Sequence, residues 1–539
     1  MMRLFLVESP TKAKTIQKYL GKDWKVLASM GHIKDLPEDE LGVDLKTLEP
    51  RYVFVRGKRK VWDQIKRTAQ KCESIYIGTD PDREGEAIAY FLWNLLKPLG
   101  KKLYRVRFYE VSKEAITLSV QKPEDSPNMN LVRAQMARRV LDRLIGYLLS
   151  PKLWVYLKNN RLSVGRVQSP ALRLIVERER QIRQFKKKKF YYIKAVFEKN
   201  GHTFHLIWDY RFEKPENAKP YLEKLKSVPF EVERVVRGKV KKEPPKPFHT
   251  ANLQAVASQK LGVGVDKVQK LAQKLYEEGF ITYPRTDSLR MDEKKAQEFM
   301  NYIKKTLGEE YVGTLRKFKE KPTSQGAHEC IRPVSLDRSP TGGVEEKLFT
   351  LIMKRTLASL ASPALLEKTD VVVVPLCEPR MEFKGQWQRI LFDGWLRIEE
   401  EELDLQEPPP LSEGEILLPK KVTLEERRTE PPPRYTEATL VKTLEKLGIG
   451  RPSTYAQIVK TLKDRGYVTE EKGVLKPTPL GEQVLDFLEK YYPRLVDYKF
   501  TAYMEEELDS VEEGKDWKTA VRYLFRAVAP EEELPSSTS

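Results

Sequence analysis

Apolar residues recur with two different periods in the first hundred residues. LFLVES (4–9) opens with a short continuous apolar run, as a buried strand does. TKAKTIQKYL (11–20) then spaces Ile16 and Leu20 four apart, as one face of a helix requires. ESIYIGTD (73–80) repeats the strand and ends in a polar turn, and GEAIAYFLWNLL (85–96) repeats the helix. Strand, turn and helix in succession predict a parallel sheet with its functional edge at the carboxyl ends of the strands. A helix is expected over roughly 129–149. Residues 190–245 and 368–420 are richer in β-branched and aromatic residues and are expected as strands. EPPKPF (243–248) and EPPPR (430–434) mark junctions between units.

The chain also repeats itself. TANLQAVASQKLGVGVDKVQKLAQKLYEEGFIT (250–282) and TEATLVKTLEKLGIGRPSTYAQIVKTLKDRGYVT (436–469) both read Thr, helix, Leu-Gly-[VI]-Gly, helix, Gly, aromatic, [VI], Thr. The second copy is one residue longer between its glycines. Each predicts a helix–turn–helix ending in a short strand, the winged-helix pattern. Agreement at both glycine blocks favours duplication over two unrelated hairpins. Such units bind nucleic acid or serve as scaffolds.

The length of 539 residues allows three or four domains of about 150 residues. Hydrophobic residues make up 40% and charged residues 32%, a globular balance rather than a disordered one. Lys and Arg number 97 against 78 Asp and Glu, a net charge of +19, which points to a polyanionic partner: nucleic acid first, an anionic membrane surface second. No run approaches the roughly 18 apolar residues of a membrane-spanning helix. The N-terminus MMRLFLVESPTKAK turns charged too early for a signal peptide. Cys72, Cys330 and Cys377 lie far apart with no C-x-x-C pair, so no zinc ribbon is expected. A soluble cytosolic protein is expected. G-x-x-x-x-G-K-[ST] is absent, so ATP use is not expected, and H-E-x-x-H is absent too.

TDPDREGE (79–86) sets Asp80, Asp82 and Glu84 at i, i+2 and i+4 after an apolar strand. In an extended segment they share one side, and carboxylates so placed suit Mg²⁺. An acidic turn feeding a helix N-terminus is the alternative. Glu8 ends the first strand and Lys12 lies in the next helix, so adjacent strands would bring Glu8 near Asp80 as an acid/base set; alone, the spacing is that of a helix-surface pair. In GFITYPRTDS, Tyr283 is either a strand-end tyrosine or a nucleophile with Arg285 as its phosphate ligand. GAHECIRP (326–333) places His328, Glu329 and Arg332 in a loop. ARRVLDRLIGY (137–147) spaces Arg139 and Arg143 four apart with Arg138 at their edge, and LSVGRVQSP (162–170) follows; both suit phosphate contacts. FKKKKFYY (185–192) suits either a nucleic-acid surface or a strand with a charged lead-in.

LVESPTKAKTI, GHIKDLP, TDPDREGEAIA, ARRVLDRLIGYLLSP, LSVGRVQSPAL, GFITYPRTDS, AHECIRP and RYTEATLVKTLEKLGIGRPSTYAQI occur in this order. Together they resemble the bacterial type IA DNA topoisomerases over about residues 1 to 520. The resemblance implies a multidomain α/β and α+β chain forming a toroid. It implies a toprim-type α/β domain over 1–121, with an insertion at 32–60 packing on the basic helical domain. A DNA-binding helical and winged-helix domain spans 122–180 plus 431–530, and a β-rich arch spans 181–245 plus 370–430. A winged-helix-like domain over 246–369 carries Tyr283, and 531–539 is a tail.

The resemblance further implies that Tyr283 attacks a phosphodiester, linking to the 5′-phosphate. Glu8 and Lys12 would transfer protons near it, Arg285 would bind phosphate, and Glu8, Asp80, Asp82 and Glu84 would hold Mg²⁺. DNA contacts are implied at His32, Arg138, Arg139, Asp142, Arg143, Tyr147, Ser163, Val164, Gly165, Arg166, Val167, Gln168, Arg285, His328, Arg451, Thr454 and Arg465. The implied partners are single-stranded and negatively supercoiled DNA, with no membrane. The implied protein is a monomer, cytoplasmic and nucleoid-associated, needing no ATP. Many members carry cysteine-rich zinc modules after the core; this sequence shows none, so no zinc is expected in this chain. A topoisomerase III-like decatenase stays open, as does a toprim-type nuclease or primase that would not need Tyr283. A non-catalytic winged-helix scaffold is opposed by the intact acidic, tyrosine and arginine motifs. Because nucleophile and acid/base set lie in different domains, their interface is expected to be polar and modest in area.

Overall fold

A computed structural model of the chain describes residues 1–320 and 328–535. Gly326 and Ala327 of the GAHECIRP motif and residues 536–539 of the tail lie outside the described residues. Among the described residues no helix is long and apolar enough to cross a membrane.

The N-terminal sheet has four parallel strands in the order Trp24–Ala28, Arg3–Val7, Ser74–Ile77, Lys102–Arg105. Its second strand is buried on both faces, which is why it reads as an unbroken apolar run. Phe5 and Val7 point into one apolar cluster and Leu4 and Leu6 into another. On the first side lies the helix Pro10–Leu20, capped by Ser9 and started by a proline where a missing N–H is harmless. On the other side lie Lys58–Gln70 and Arg83–Leu96.

The long helix runs over Met129–Leu157, eight residues beyond the expected end, and carries Pro151 inside it. Val140, Leu141, Leu144, Ile145, Leu149 and Leu153 pack into one large core with the helix Gln168–Gln184 and the second repeat. Leu36, Val43 and Leu48 reach into the same core from the stretch between the short strands Lys34–Asp35 and Val53–Phe54.

The β-rich stretches form one antiparallel seven-stranded sheet. Its order is Ile416–Leu417, Phe230–Lys242, Ala364–Pro375, Phe383–Phe392, His202–Phe212, Lys189–Lys199, Lys421–Arg428. A helix, Pro215–Leu225, interrupts the region expected to be all strand. The FKKKKFYY stretch is a strand from Lys189 with Ile193 turned into the core, so the charged residues are its lead-in.

Both repeats are helix–turn–helix units: Thr250–Leu261 with Val265–Glu277, and Glu437–Leu447 with Tyr455–Asp464. Gly262 and Gly448 end the first helices in the left-handed region, at φ 65° and 75°, where a side chain would be strained. The wings differ. The second copy continues into the hairpin Val468–Glu471 and Val474–Pro477, whereas in the first Ile281 only bridges Pro333. Pro284, which has no N–H to give a ladder, follows almost at once. The first helices of the two copies pack on each other, as do the second. Each copy is joined by a short connection to the seven-stranded sheet, so the packed units close a ring.

The seam between the Tyr283 unit and the parallel-sheet unit departs from the expected polar contact. One continuous buried cluster joins Val7, Ile16, Phe108 and Val111 to Leu275, Tyr276, Ile281 and Phe349. Polar contacts lie beside it: Ser9 Oγ donates to Glu277 at 2.8 Å and Arg332 pairs with Glu110 at 3.4 Å. The helix Val265–Glu277 sets an apolar face on the sheet unit as well as on its own, which its periodicity alone does not reveal.

Candidate active site

The parallel-sheet strand Ser74–Ile77 ends at a turn that holds the acidic motif. Arg105, fully buried beneath it, donates to the carbonyls of Ile77, Thr79 and Asp80 at 3.0–3.2 Å and pairs with Glu86 at 3.0 Å. The guanidinium thereby satisfies the carbonyls of Thr79 and Asp80 beyond the strand end and adds a second bond to that of Ile77, which also accepts from the Val106 N–H at 3.0 Å. Gly85 allows the turn to close: a Cβ there would lie 1.9 Å from the Asp80 oxygen. The following helix starts at Arg83, two residues earlier than expected, because Asp82 caps it, accepting from the Gly85 N–H at 2.7 Å.

That early start separates the three carboxylates. Asp80 turns to Lys12 and Arg285, Asp82 to Tyr283, and Glu84 to His32 at 2.8 Å and Gln135 at 3.3 Å. The expected one-sided acidic cluster is not formed, since the segment is a cap and a helical turn rather than extended chain. No group of three or more metal-binding side chains is assembled among the described residues.

Tyr283 is placed by its backbone. Its N–H donates to the Tyr109 carbonyl at 2.9 Å, and Thr282 is bonded to Arg332 and Cys330. The Thr250 hydroxyl bonds the carbonyls of Pro284 and Thr286 at 2.7 and 3.0 Å. The ring packs edge-on against Tyr276 and His328, and the phenol donates to Asp82. Burial first, then Asp82 and Asp80, push the phenol well above its usual pKa, against the pull of Arg285. The phenol is therefore neutral in this closed arrangement. Burial lowers the pKa of His328.

Glu8 and Lys12 meet Asp80, not the phenol. Lys12 Nζ lies 2.7 Å from both Glu8 and Asp80, and the Asp80 N–H donates to Glu8 at 2.7 Å. Burial works against the Lys12 charge, but Asp80 and Glu8 outweigh it and raise its pKa. Burial, then Asp80, raises Glu8, while Lys12 opposes. Arg285 lies 3.0 Å from Asp80 and 3.6 Å from Asp82, bracketing the phenol's partner with positive charge.

A cavity of about 210 Å³ opens beside this group. Of the expected DNA-contact residues, Arg138, Arg139, Asp142, Arg166, Arg285, His328, Arg451 and Thr454 line it, together with Asp82 and Glu84. His32 reaches it only through Glu84. Arg143 is turned away, donating to the carbonyls of Pro37 and Glu40 at 2.6 Å. Arg465 donates to the Arg161 carbonyl at 2.9 Å, and Gln168 bonds Ser163 at 3.2 Å; neither lines the cavity. Tyr147, Ser163, Val164, Gly165 and Val167 do not line it either, and the Val164 side chain is in the core, so any contact there would use backbone.

Motif spacing misses several lining residues. Arg83 sits inside the acidic motif, where its charge sign is the only available cue. Gln135, one turn before Arg139, carries no separate signal. Asp509 and Glu512 belong to MEEELDSVEE (504–513), which by composition is indistinguishable from a solvated helix.

Comparison with known proteins gives the family and the fold. The profile of the DNA topoisomerase family matches residues 126–522 and that of the Toprim domain residues 3–111. The chain is 57% identical to DNA topoisomerase 1 of Aquifex aeolicus, over 96% of this chain and 97% of that protein. It is 43% identical to DNA topoisomerase 1 of Thermotoga maritima, over 95% of this chain and 82% of that protein. The fold superposes on the full-length topoisomerase I structure from Thermotoga maritima with a TM-score of 0.88, at 41% identity, covering 98% of this chain and 91% of that one. The chain belongs to the type IA DNA topoisomerase family.

Proposed function

We propose that the chain is a topoisomerase I that relaxes negatively supercoiled DNA without ATP, through a transient 5′-phosphotyrosine link at Tyr283. The observation that carries this reading is the buried phenol hydrogen-bonded to Asp82 with Arg285 beside it. In the reaction the Tyr283 oxygen attacks phosphorus, a new P–O bond forms and the bond to the 3′ oxygen breaks. One proton leaves the phenol and one is required at the 3′ oxygen. Asp82, and the Lys12–Glu8–Asp80 group behind it, lie where such protons can be exchanged. Arg285 turns from the carboxylates to the incoming phosphate, which it can bind with two N–H groups. One phosphodiester replaces another, so supercoiling supplies the work and no nucleotide is needed.

Asp80, Asp82, Glu84 and Glu8 carry the oxygen donors that Mg²⁺ takes and are the residues that would hold it once they turn from Lys12, Arg285, Tyr283 and His32; of the four, Asp82 and Glu84 already face the cavity. Bound there, the ion would neutralise charge on the phosphate and the leaving oxygen. The domain division given above, a monomeric state and a cytoplasmic, nucleoid-associated location belong to the same reading.

The test is a denaturant trap. Wild type quenched during turnover should carry DNA joined through its 5′ end to the peptide containing residue 283. Tyr283→Phe should bind single-stranded DNA but form no adduct and relax nothing. An adduct on another residue, or free 5′-phosphate ends without adduct, would favour a nuclease.

A further inference from the structure

Four arginines from four separate parts of the chain converge on three carboxylates beside the cavity. Arg83 comes from the acidic motif, Arg138 from the long helix, Arg166 from the glycine loop and Arg451 from the turn of the second repeat. Asp509 ends the helix Tyr498–Asp509 and pairs with Arg83 at 2.9 Å, with Arg451 at 2.8 Å and with Arg138. Glu505, one turn earlier, pairs with Arg138 at 3.2 Å and with Arg166, and Glu512 with Arg83 at 2.9 Å. The Asp509 and Glu505 side chains are 4% and 1% exposed.

A cluster serving only to hold the fold together is poorly explained by this chemistry. Buried ion pairs stabilise little more than apolar residues of the same volume. A fourth carboxylate, Asp142, lies 2.9 Å from Arg166, so charge is balanced and it is the placement of the four guanidinium groups, not an excess of them, that points to a ligand. All four line the cavity that opens beside Tyr283. A guanidinium has five N–H donors, and a carboxylate on one edge leaves another edge available. Two donors are in fact unspent: Arg138 Nε and Arg285 Nε, both from residues lining the cavity, have no hydrogen-bond partner among the described residues.

We propose that Asp509, supported by Glu505 and Glu512, is a positioning residue for DNA engagement. It fixes the guanidinium groups of Arg83, Arg138 and Arg451 at the cavity so that they meet a backbone phosphate next to the scissile one. Arg83 stands between Asp82 and Glu84 in sequence, so the same carboxylate ties the acidic turn to the arginine-bearing helices. This rests on the topoisomerase reading.

The prediction runs against simple charge counting. Asp509→Asn removes a negative charge from a DNA-facing cavity, and Coulomb's law alone would make binding tighter. Loss of positioning makes it weaker. The experiment measures affinity for a single-stranded oligonucleotide across a salt series, the yield of covalent complex on a cleavable oligonucleotide, and the melting temperature. For Asp509→Asn we expect roughly tenfold weaker binding, a shallower salt dependence from lost phosphate contacts, and a reduced covalent yield, with Asp509→Glu partly restoring all three. Unchanged or tighter binding by a folded Asp509→Asn overturns the proposal, because the carboxylate is then structural or merely competes with phosphate. If Asp509→Asn does not fold, Glu512→Gln, which touches Arg83 alone, decides: weaker binding supports the role, unchanged or tighter binding overturns it. Wild type on the same cleavable oligonucleotide is the control. No covalent complex there would fail the topoisomerase reading itself, whereas a normal wild-type complex with an unaffected variant fails only the positioning role.

Discussion

Lys12 is the residue on which the acid/base group depends. Its side chain is fully buried, and it is the ammonium between Glu8 and Asp80. Lys12→Met would leave two carboxylates buried without that cation, a loss of roughly 3–5 kcal/mol. We expect a markedly lower melting temperature together with loss of cleavage; a variant melting like wild type would mean the pair relaxes onto solvent. Asp509 gives a residue-scale dependence on pH. Burial works against its charge, but Arg138, Arg83 and Arg451 prevail and lower its pKa from 3.8 to about 2. A depressed carboxylate stabilises the fold fully above its unfolded value and loses that effect as pH falls through its folded one. The contribution is about 2 kcal/mol. The difference in melting temperature between wild type and Asp509→Asn should therefore be constant near pH 5 and shrink between pH 4 and 2. Tyr283, Arg285 and Asp80 were legible in the sequence because motif and charge type both mark them. The partner of the phenol was not, since Asp82 is selected by a capping interaction that appears only in three dimensions.

At the scale of elements, the repeat was legible because glycine blocks survive where side chains drift. The fate of its ends was not: a hairpin wing in one copy and a single bridge in the other depend on which strand is within reach. The acidic turn shows the same limit. Its residues are visible, but the helix start that spreads them comes from the Asp82 cap. Gly85 is the test of that turn. A methyl group 1.9 Å from the Asp80 oxygen cannot be accommodated without moving backbone. Gly85→Ala should abolish covalent complex formation while leaving affinity for single-stranded DNA within a few-fold, roughly, because most arginine contacts lie elsewhere. Normal cleavage by this variant would show that the turn tolerates displacement. Gly448→Ala, strained by its φ of 75°, should cost only about 1 kcal/mol and spare the chemistry.

For the whole molecule, the +19 charge was legible as a sign of a polyanionic partner, but its distribution was not. Many arginines are already engaged by carboxylates, so the cavity wall is a set of shared cations rather than a bare basic strip. Binding to a single-stranded oligonucleotide should still fall steeply with salt, by roughly tenfold or more over a several-fold change in concentration. A flat response would count against backbone recognition. Asp80→Ala/Asp82→Ala should lose Mg²⁺-dependent relaxation, and full relaxation by it would leave the acidic turn a structural element only.

In the proposed reaction the Tyr283 unit would swing from the sheet unit as a gate, and the continuous apolar seam opposes that motion where a polar contact would not: parting it wets Phe108, Val111, Leu275 and Ile281. Hydrating such surface raises the heat capacity, so the opening constant plotted against reciprocal temperature must curve instead of running straight. Salt identity then matters apart from ionic strength. Sulfate strengthens apolar contacts, so it should hold the gate shut and slow strand passage at an ionic strength where chloride, which screens the ion pairs at the seam's edge, lets it swing.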